Sequence, residues 1–352
     1  MNGPLVQTTQ AGEAGGPVRV TIKDVSRVAG VSIKTVSRVL NNERYVGAAT
    51  RDRVEAAVAS LSFRPSNAAR SLAGRRSWQI ALICDNPNPY YVYEMQSGIR
   101  DRCEADGVRM IAQPYDRESP RLIADIEALV DGTGVDGLIL TPPVVDHPAV
   151  LDLLAKRGVR IVRVSPGVEP RMAPSVFIDN EGAAAAMTAH LVALGHRRIA
   201  FVAGHGSYAT SGQRLSGYLG ALQSAGIAID LELVRQGDFG FGSGASACES
   251  LMALPQPPSA IFASSDTMAA GAVQAAHRAG VGVPRRLSIA GFDDTALASF
   301  VWPPLTTVRQ PIREVAHQAA DLLLGGGPLD EAREVAWELV VRDSTGPLPD
   351  QQ

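Results

Sequence analysis

Cysteine is scarce in this 352-residue chain: Cys84, Cys103 and Cys248 stand alone, with no CxxC spacing and no evident pairing. That excludes a disulfide framework and suits a reducing compartment. No apolar run approaches the ~18 residues of a membrane span, so no membrane partner is expected. The opening MNGPLVQTTQAGEAGGP lacks both a basic n-region and an apolar h-region, so no export signal is expected. Enzyme signatures are missing too: no GxGxxG follows a strand, and neither GxxxxGK[ST] nor HExxH occurs. GFGSG (240–244) resembles a phosphate loop only loosely, and a flexible start to the helix after it explains it better. Asp293 and Asp294 could form an acid/base or metal pair, but no third ligand cluster accompanies them. No catalytic role, metal or cofactor is therefore expected.

What the chain does have is an uneven distribution of charge. The net charge of -3 conceals a basic segment, Arg19 to Arg76, with 12 Lys and Arg against four Asp and Glu, a net of +8. The remainder carries −11. A basic module on an acidic body suggests an anion-binding unit under separate control. Hydrophobic content of 45% with 20% charged residues allows an ordinary core in each part.

Residues 21–42, TIKDVSRVAGVSIKTVSRVLNN, carry the sharpest pattern. Two short amphipathic helices flank a turn at Ala29-Gly30-Val31, where Gly30 suits a sharp change of direction. Val25, Val28, Ala29 and Val31 can close against Val36 and Val39. Thr21 with Asp24 forms a capping box, and Ser32 can cap the second helix. The layout is a helix-turn-helix, whose second helix enters the DNA major groove N-terminus first. A third helix is expected over Ala48 to Leu61, and a two-turn helix over Asn67 to Ala73, ended by Gly74. Alone, so short a helix is marginal in water.

From Gln79 onward, apolar strands alternate with amphipathic helices. A first series has strands at 80–84, 109–112, 137–140 and 160–164. A second starts at SVFI (175–178) and continues through RIAFVAG (198–204), ELVRQGDF (232–239), AIFAS (260–264) and LSIAGF (287–292). Helix 312–324 and strand EVAWELVVR (334–342) cross back to the lobes. Such runs indicate parallel sheets covered on both faces. The expected fold is an N-terminal all-α helix-turn-helix domain with a hinge helix, then an α/β body of two doubly wound parallel-sheet lobes. The segments are a disordered tail at 1–18, the helix-turn-helix domain at 19–64, hinge helix and linker at 65–77, a two-lobed body at 78–342, and a tail at 343–352. The chain shows no terminal leucine heptads, so a dimer is expected and not a zipper-built tetramer.

Seven pieces in order resemble the LacI/GalR family of bacterial transcription regulators: VTIKDVSRVAGVSIKTVSRVLNN, TRDRVEAAVASLSFRPSNAARSLAGRRS, HLVALGHRRIAFVAG, QRLSGY, FASSDTMAAGA, LSIAGFDD and PPLTTVRQP. The resemblance covers about Val20 to Arg342. It implies a homodimeric, cytoplasmic and nucleoid-associated repressor on a palindromic double-stranded operator. Its body would resemble periplasmic binding proteins and bind a small-molecule effector between the lobes. A solute-binding protein of the same two-lobed fold is the alternative, but that reading expects an export signal and no basic module.

Candidate residues follow. Ile33 and Lys34 are exposed at the start of the reading helix; Lys donates to guanine and Ile packs on a thymine methyl, while Arg38 can grip guanine with both arms. Ser32, Thr35, Ser37, Asn41, Tyr45 and Thr50 suit phosphate contacts. Leu72 resembles the family's hinge wedge in the minor groove, with Ala69 allowing close approach and Arg70, Arg75 and Arg76 supplying phosphate or narrow-groove contacts. In the body, Arg214 and Asp293 can together hold vicinal hydroxyls or a carboxylate. Phe239 offers an aromatic platform, and Asp85, Tyr91 and Ser265 lie near strand ends. Structural ion pairs and caps compete for each of these, and Asp266 could simply cap the next helix. Arg163 stands where sugar-responsive relatives often carry an acid. It is compatible with an anionic effector such as a sugar acid, or with a structural Asp partner; a carbohydrate or derivative is the leading expectation. Leu72→Ala is expected to weaken specific DNA binding and spare non-specific binding; equal loss on both DNAs in a mobility-shift assay would remove the wedge role.

Overall fold

The computed structural model describes residues 20–40, 43, 45–63, 76–117 and 119–348. Asn41, Ala69, Arg70, Leu72, Arg75 and the expected hinge helix lie outside the described residues. The chain divides into two compact units, Met1–Arg76 and Ser77–Gln352.

The first unit holds α1 (Ile22–Ala29), α2 (Ile33–Leu40) and α3 (Ala48–Ser60). The Thr21 amide donates to Asp24 Oδ2 at 3.0 Å, closing the capping box. Gly30, at φ 63, ends α1 in the left-handed region. Ser32 Oγ accepts from the Thr35 amide at 3.1 Å and starts α2. Val25, Ala29, Val36, Val39, Val54, Ala57 and Phe63 form the core. Val28 does not join it, contrary to the sequence pattern, and is 56% exposed. The buried stripe of α1 runs through Val25 and Ala29, four residues apart, and is too narrow to include it.

The second unit has two sheets. The first contains β1 (Gln79–Cys84), β2 (Arg109–Pro114), β3 (Leu138–Leu140), β4 (Ile161–Val164), β5 (Ser175–Phe177) and β11 (Ala332–Glu334), in the order β11-β5-β4-β3-β1-β2 and wholly parallel. The second contains β6 (Ile199–Ala203), β7 (Val234–Gln236), β8 (Ala260–Ala263), β9 (Ser288–Asp293), β10 (Thr306–Arg309) and β12 (Glu338–Val340), in the order β12-β10-β9-β8-β6-β7, with only β12 antiparallel. Helices α4 (Pro89–Asp106), α5 (Leu122–Thr133), α6 (Pro148–Lys156) and α12 (Ile312–Gly325) belong with the first sheet. Helices α7 (Asn180–Ala193), α8 (Ala209–Ser224), α9 (Phe241–Met252), α10 (Asp266–Arg278) and α11 (Ala296–Phe300) belong with the second. Among the described residues, no helix is long and apolar enough to cross a membrane.

Four features depart from the sequence reading. SVFI opens no second series: β5 lies beside β4, with Ser175 opposite Arg163, because no helix intervenes to carry the chain away. EVAWELVVR is two strands in different sheets, since the chain crosses between lobes at 335–337. ELVRQGDF shrinks to the three residues of β7. The last glycine of GFGSG serves packing: a Cβ at Gly244 would stand 2.1 Å from the Met268 carbonyl oxygen, so α9 lies directly against α10, while one at Gly242 would meet nothing within 4 Å.

The expected tail at 343–352 is docked through Leu348. Ser344 is fully buried, its hydroxyl donating to the Ile289 carbonyl at 2.6 Å, and the Gly346 amide donates to Ser288 Oγ at 3.1 Å. Beneath it, the His196 ring nitrogens bridge Ser259 and Ser288 at 2.9 and 3.0 Å. Burial holds the His196 imidazolium below its ordinary value near 6.5. The unfolded chain therefore takes up a proton that the folded body resists. As pH falls through 6.5, wild type is expected to lose stability relative to His196→Gln in denaturant titrations; a pH-independent difference would contradict this.

Candidate functional site

On the first unit, α2 exposes Ser32, Ile33, Lys34 and Arg38, with Thr35, Ser37 and Thr50 half-buried. Ile33 is left 44% exposed and Tyr45 95% exposed, apolar surface that the small core below does not use. A cation at position 34 beside an aliphatic side chain can donate to a base edge and pack on a methyl group. Arg38 Nε lies 3.6 Å from Glu43 Oε2, with both side chains about half exposed. Such an exposed pair is worth little in water and leaves the guanidinium available to an incoming base or phosphate.

In the second unit, a cavity lies between the lobes at the C-terminal ends of the strands, where ligands sit in doubly wound sheets. Tyr91, Arg214, Phe239, Ser265 and Asp293 all line it. Its interior is about 30 Å³, room for roughly two waters. Asn88 to Asp293 and Tyr208 to the Asp85 carbonyl bridge the two lobes beside this slot.

Asp293 ends β9 at φ 116, a conformation rare for any residue but glycine. Asn88 Nδ2, from the first lobe, donates to its Oδ2 at 3.3 Å, and Gln310 Nε2 to its Oδ1 at 3.0 Å. Arg214 Nη1 stands 4.0 Å away. Burial pushes the Asp293 carboxyl up to about 6, against the pull of Arg214 and the two amides. Arg214 is aimed by its neighbours. Nε donates to Asn180 Oδ1 at 2.9 Å, Nη1 donates to the Ser264 carbonyl at 2.6 Å, and the guanidinium lies 3.6 Å from the Phe292 ring centroid.

Phe239 turns into the cavity at φ 69 and lies on Gly204, where a Cβ would come within 2.0 Å of the ring. Tyr208 meets it edge-on at 5.1 Å, giving an L-shaped aromatic wall. Ser265 both lines the cavity and caps α10, accepting from the Met268 amide at 3.2 Å. Asp266 is not that cap: fully buried, it accepts from Thr307 Oγ1 at 2.6 Å and the Thr295 amide at 2.8 Å. Burial, then the charge of Asp293, raises it well above the ordinary carboxylate range.

Two expected effector residues are elsewhere. Asp85 is not part of the lining: its carboxylate pairs with Arg117 Nε at 2.8 Å, and its carbonyl accepts from the Tyr208 hydroxyl. Arg163 is fully buried in the first lobe, with its donors spent on Val145, Val168 and Glu169 carbonyls and on Asp146 Oδ1 at 2.6 Å. It does not line the cavity and has the structural Asp partner that the sequence left open, so it carries no argument for an anionic effector. Ser165, two residues on, faces the cavity instead. Sequence reasoning also missed Asn86, Asn88, Thr210, Tyr208 and Gln310. Asparagines among prolines in NPNPYY look like turn residues; only their place at a strand's C-terminal end marked them out.

A basic helix-turn-helix unit and a two-lobed, cavity-bearing body define a DNA-binding regulator with a small-molecule receptor. Residues 21–66 match the family described as bacterial regulatory proteins, lacI family, and residues 188–345 match a periplasmic binding protein-like domain. The HTH-type transcriptional regulator DegA of Bacillus subtilis (strain 168) is 35% identical over 338 residues, covering 94% of this chain and 99% of that protein. The lac repressor dimer bound to operator and the anti-inducer ONPF superposes with a TM-score of 0.81 at 30% identity, covering 93% of this chain and 99% of that one. The CelR–cellobiose complex gives a TM-score of 0.70 at 30% identity, over 93% of this chain and all of that one. The chain belongs to the LacI family of bacterial transcription regulators. Its relatives are DNA-binding regulators, not enzymes.

Because Asp293 is harder to ionise folded than unfolded, its contribution is fully present below pH 3.8 and is lost as pH rises through about 6. The stability of wild type relative to Asp293→Asn is expected to fall over that interval and then level off. A difference that rises with pH in thermal or urea melts would refute the buried-carboxyl account.

Proposed function

We propose that the chain is a repressor of carbohydrate or related catabolic genes, acting as a cytoplasmic homodimer on a palindromic operator. In this reading Ile33, Lys34 and Arg38 read bases, and Ser32, Thr35, Ser37, Tyr45 and Thr50 hold phosphates. The effector is a neutral polyhydroxylated molecule, a sugar or sugar derivative, received in the cavity around Arg214 and Asp293. The observation that carries this is the composition of the wall: one cation and one carboxylate 4.0 Å apart, surrounded by side-chain amides, hydroxyls and three aromatic rings. The charges cancel, so the wall has little preference for an anion, while paired donors and acceptors suit vicinal hydroxyls and a ring face suits Phe239. The operator-bound lac repressor dimer and the cellobiose-bound CelR support the DNA and sugar halves of the reading. A solute-binding role without DNA would leave the basic first unit unexplained.

A thermal-shift screen of neutral sugars against sugar acids tests the effector class. A neutral ligand at 100 times its Kd is expected to stabilise the body by about 2.7 kcal/mol, and Arg214→Lys to weaken it about tenfold or more by losing the fork geometry. Shifts produced by acids alone would overturn the neutral-effector reading. The operator must change effector affinity by the factor by which effector changes operator affinity.

A further inference from the structure

Lobe closure needs a surface on which it stops, and one short segment of the first lobe meets the second at unusually close range. Residues 165–170 follow β4 and are stitched from below. Arg163 donates to the Val168 carbonyl at 2.9 Å and to that of Glu169 at 2.8 Å, while the Gly167 amide donates to Asp146 Oδ2 at 2.7 Å and Ser175 Oγ to the Pro170 carbonyl at 2.7 Å. Ser165 and Glu169 both take positive φ, 47 and 41, a backbone that persists only where its surroundings over-determine it. The segment is therefore rigid, although Val168 at its tip is 56% exposed.

Its far side meets α8. A Cβ built on Gly167 would stand 2.1 Å from Cβ of Ala209, the first residue of α8. Tyr208 and Thr210, on either side of Ala209, line the cavity, as does Arg214 a little over one turn later. The same helix start is held from the first lobe a second time, where Arg117 lies over the Tyr208 ring at 5.1 Å.

We propose that the Arg163-pinned segment 165–170 is the closure surface of the first lobe, and that Gly167, by admitting Ala209 without a side chain, sets how far the lobes close over the cavity. This rests on the cavity being the effector site. Gly167 has no left-handed backbone of its own, so an added methyl group acts by crowding alone, most severely on Ala209 Cβ at 2.1 Å and less on Asp146 Oδ2 at 3.0 Å. Arg163 is then a positioning residue, acting through the loop it holds.

The test uses the full chain with donor and acceptor dyes on Lys156→Cys and Gln223→Cys, one in each lobe; Cys84, Cys103 and Cys248 are buried. Single-molecule energy transfer reads the open-to-closed ratio without any ligand. Gly167→Ala is expected to shift that ratio toward open by about tenfold or more, as overpacking of a tight contact does. Adding Ala209→Gly should restore it, and Gly206→Ala, whose Cβ would meet nothing within 4 Å, should leave it unchanged. A Gly167→Ala distribution identical to wild type overturns the proposal. So does failure of Ala209→Gly to restore closure, or to restore folding if the single variant does not fold. A wedge that opens the lobes while no sugar binds upholds the closure surface and counts against the effector reading instead.

Discussion

The body is organised around one buried carboxylate. Asp293 receives Asn88 from the first lobe, Gln310 from the crossing to α12, and the charge of Arg214 from α8. Each partner comes from a different part of the chain: Gln310 and Arg214 meet Asp293 within the second lobe, while the Asn88 contact forms only when the two lobes come together. A buried carboxyl without them would be costly, and one of them, Asn88, is supplied by the opposite lobe. Arg214 in turn is held in its buried setting by Asn180, the Ser264 carbonyl and the Phe292 ring.

The first unit works on a different principle. Its core is small and, Phe63 apart, aliphatic, and its strongest devices are local: a capping box at Thr21 and Asp24, a left-handed Gly30, and a hydroxyl cap at Ser32. These fix the angle between α1 and α2 with few residues, which frees the outer face of α2 for contacts with another molecule. Stability from the inside and chemistry on the outside are thus divided between alternating positions of one eight-residue helix.

Much of this was legible in the sequence where one local rule governs. The helix-turn-helix, the strand–helix alternation and the cavity positions of Arg214, Asp293, Phe239, Tyr91 and Ser265 all follow from short-range pattern or family motif. What escaped depends on contacts between distant residues. β10 is hard to see because Thr306 and Thr307 are buried polar residues, made tolerable by Thr345 and Asp266 respectively. Arg163 looked like a ligand residue because nothing in its own strand shows that Asp146 and three carbonyls consume its donors. Asn88 and Gln310 resemble ordinary turn residues until the lobes meet around Asp293. The split of EVAWELVVR is invisible to periodicity, since a change of sheet leaves no mark on alternation.

The chain passes between the lobes three times: after β5, after β10 and after β11. In the first sheet β5 and β11 are neighbours at one edge, and in the second β10 and β12 are neighbours at one edge. A single connection would let the lobes drift apart and swivel freely. Three connections gathered at matching edges behave as a stiff flexure, suppressing translation and leaving one soft mode, a rotation that opens the opposite side. A guest that parted the lobes would then act as a torque about that edge, and not through many independent displacements.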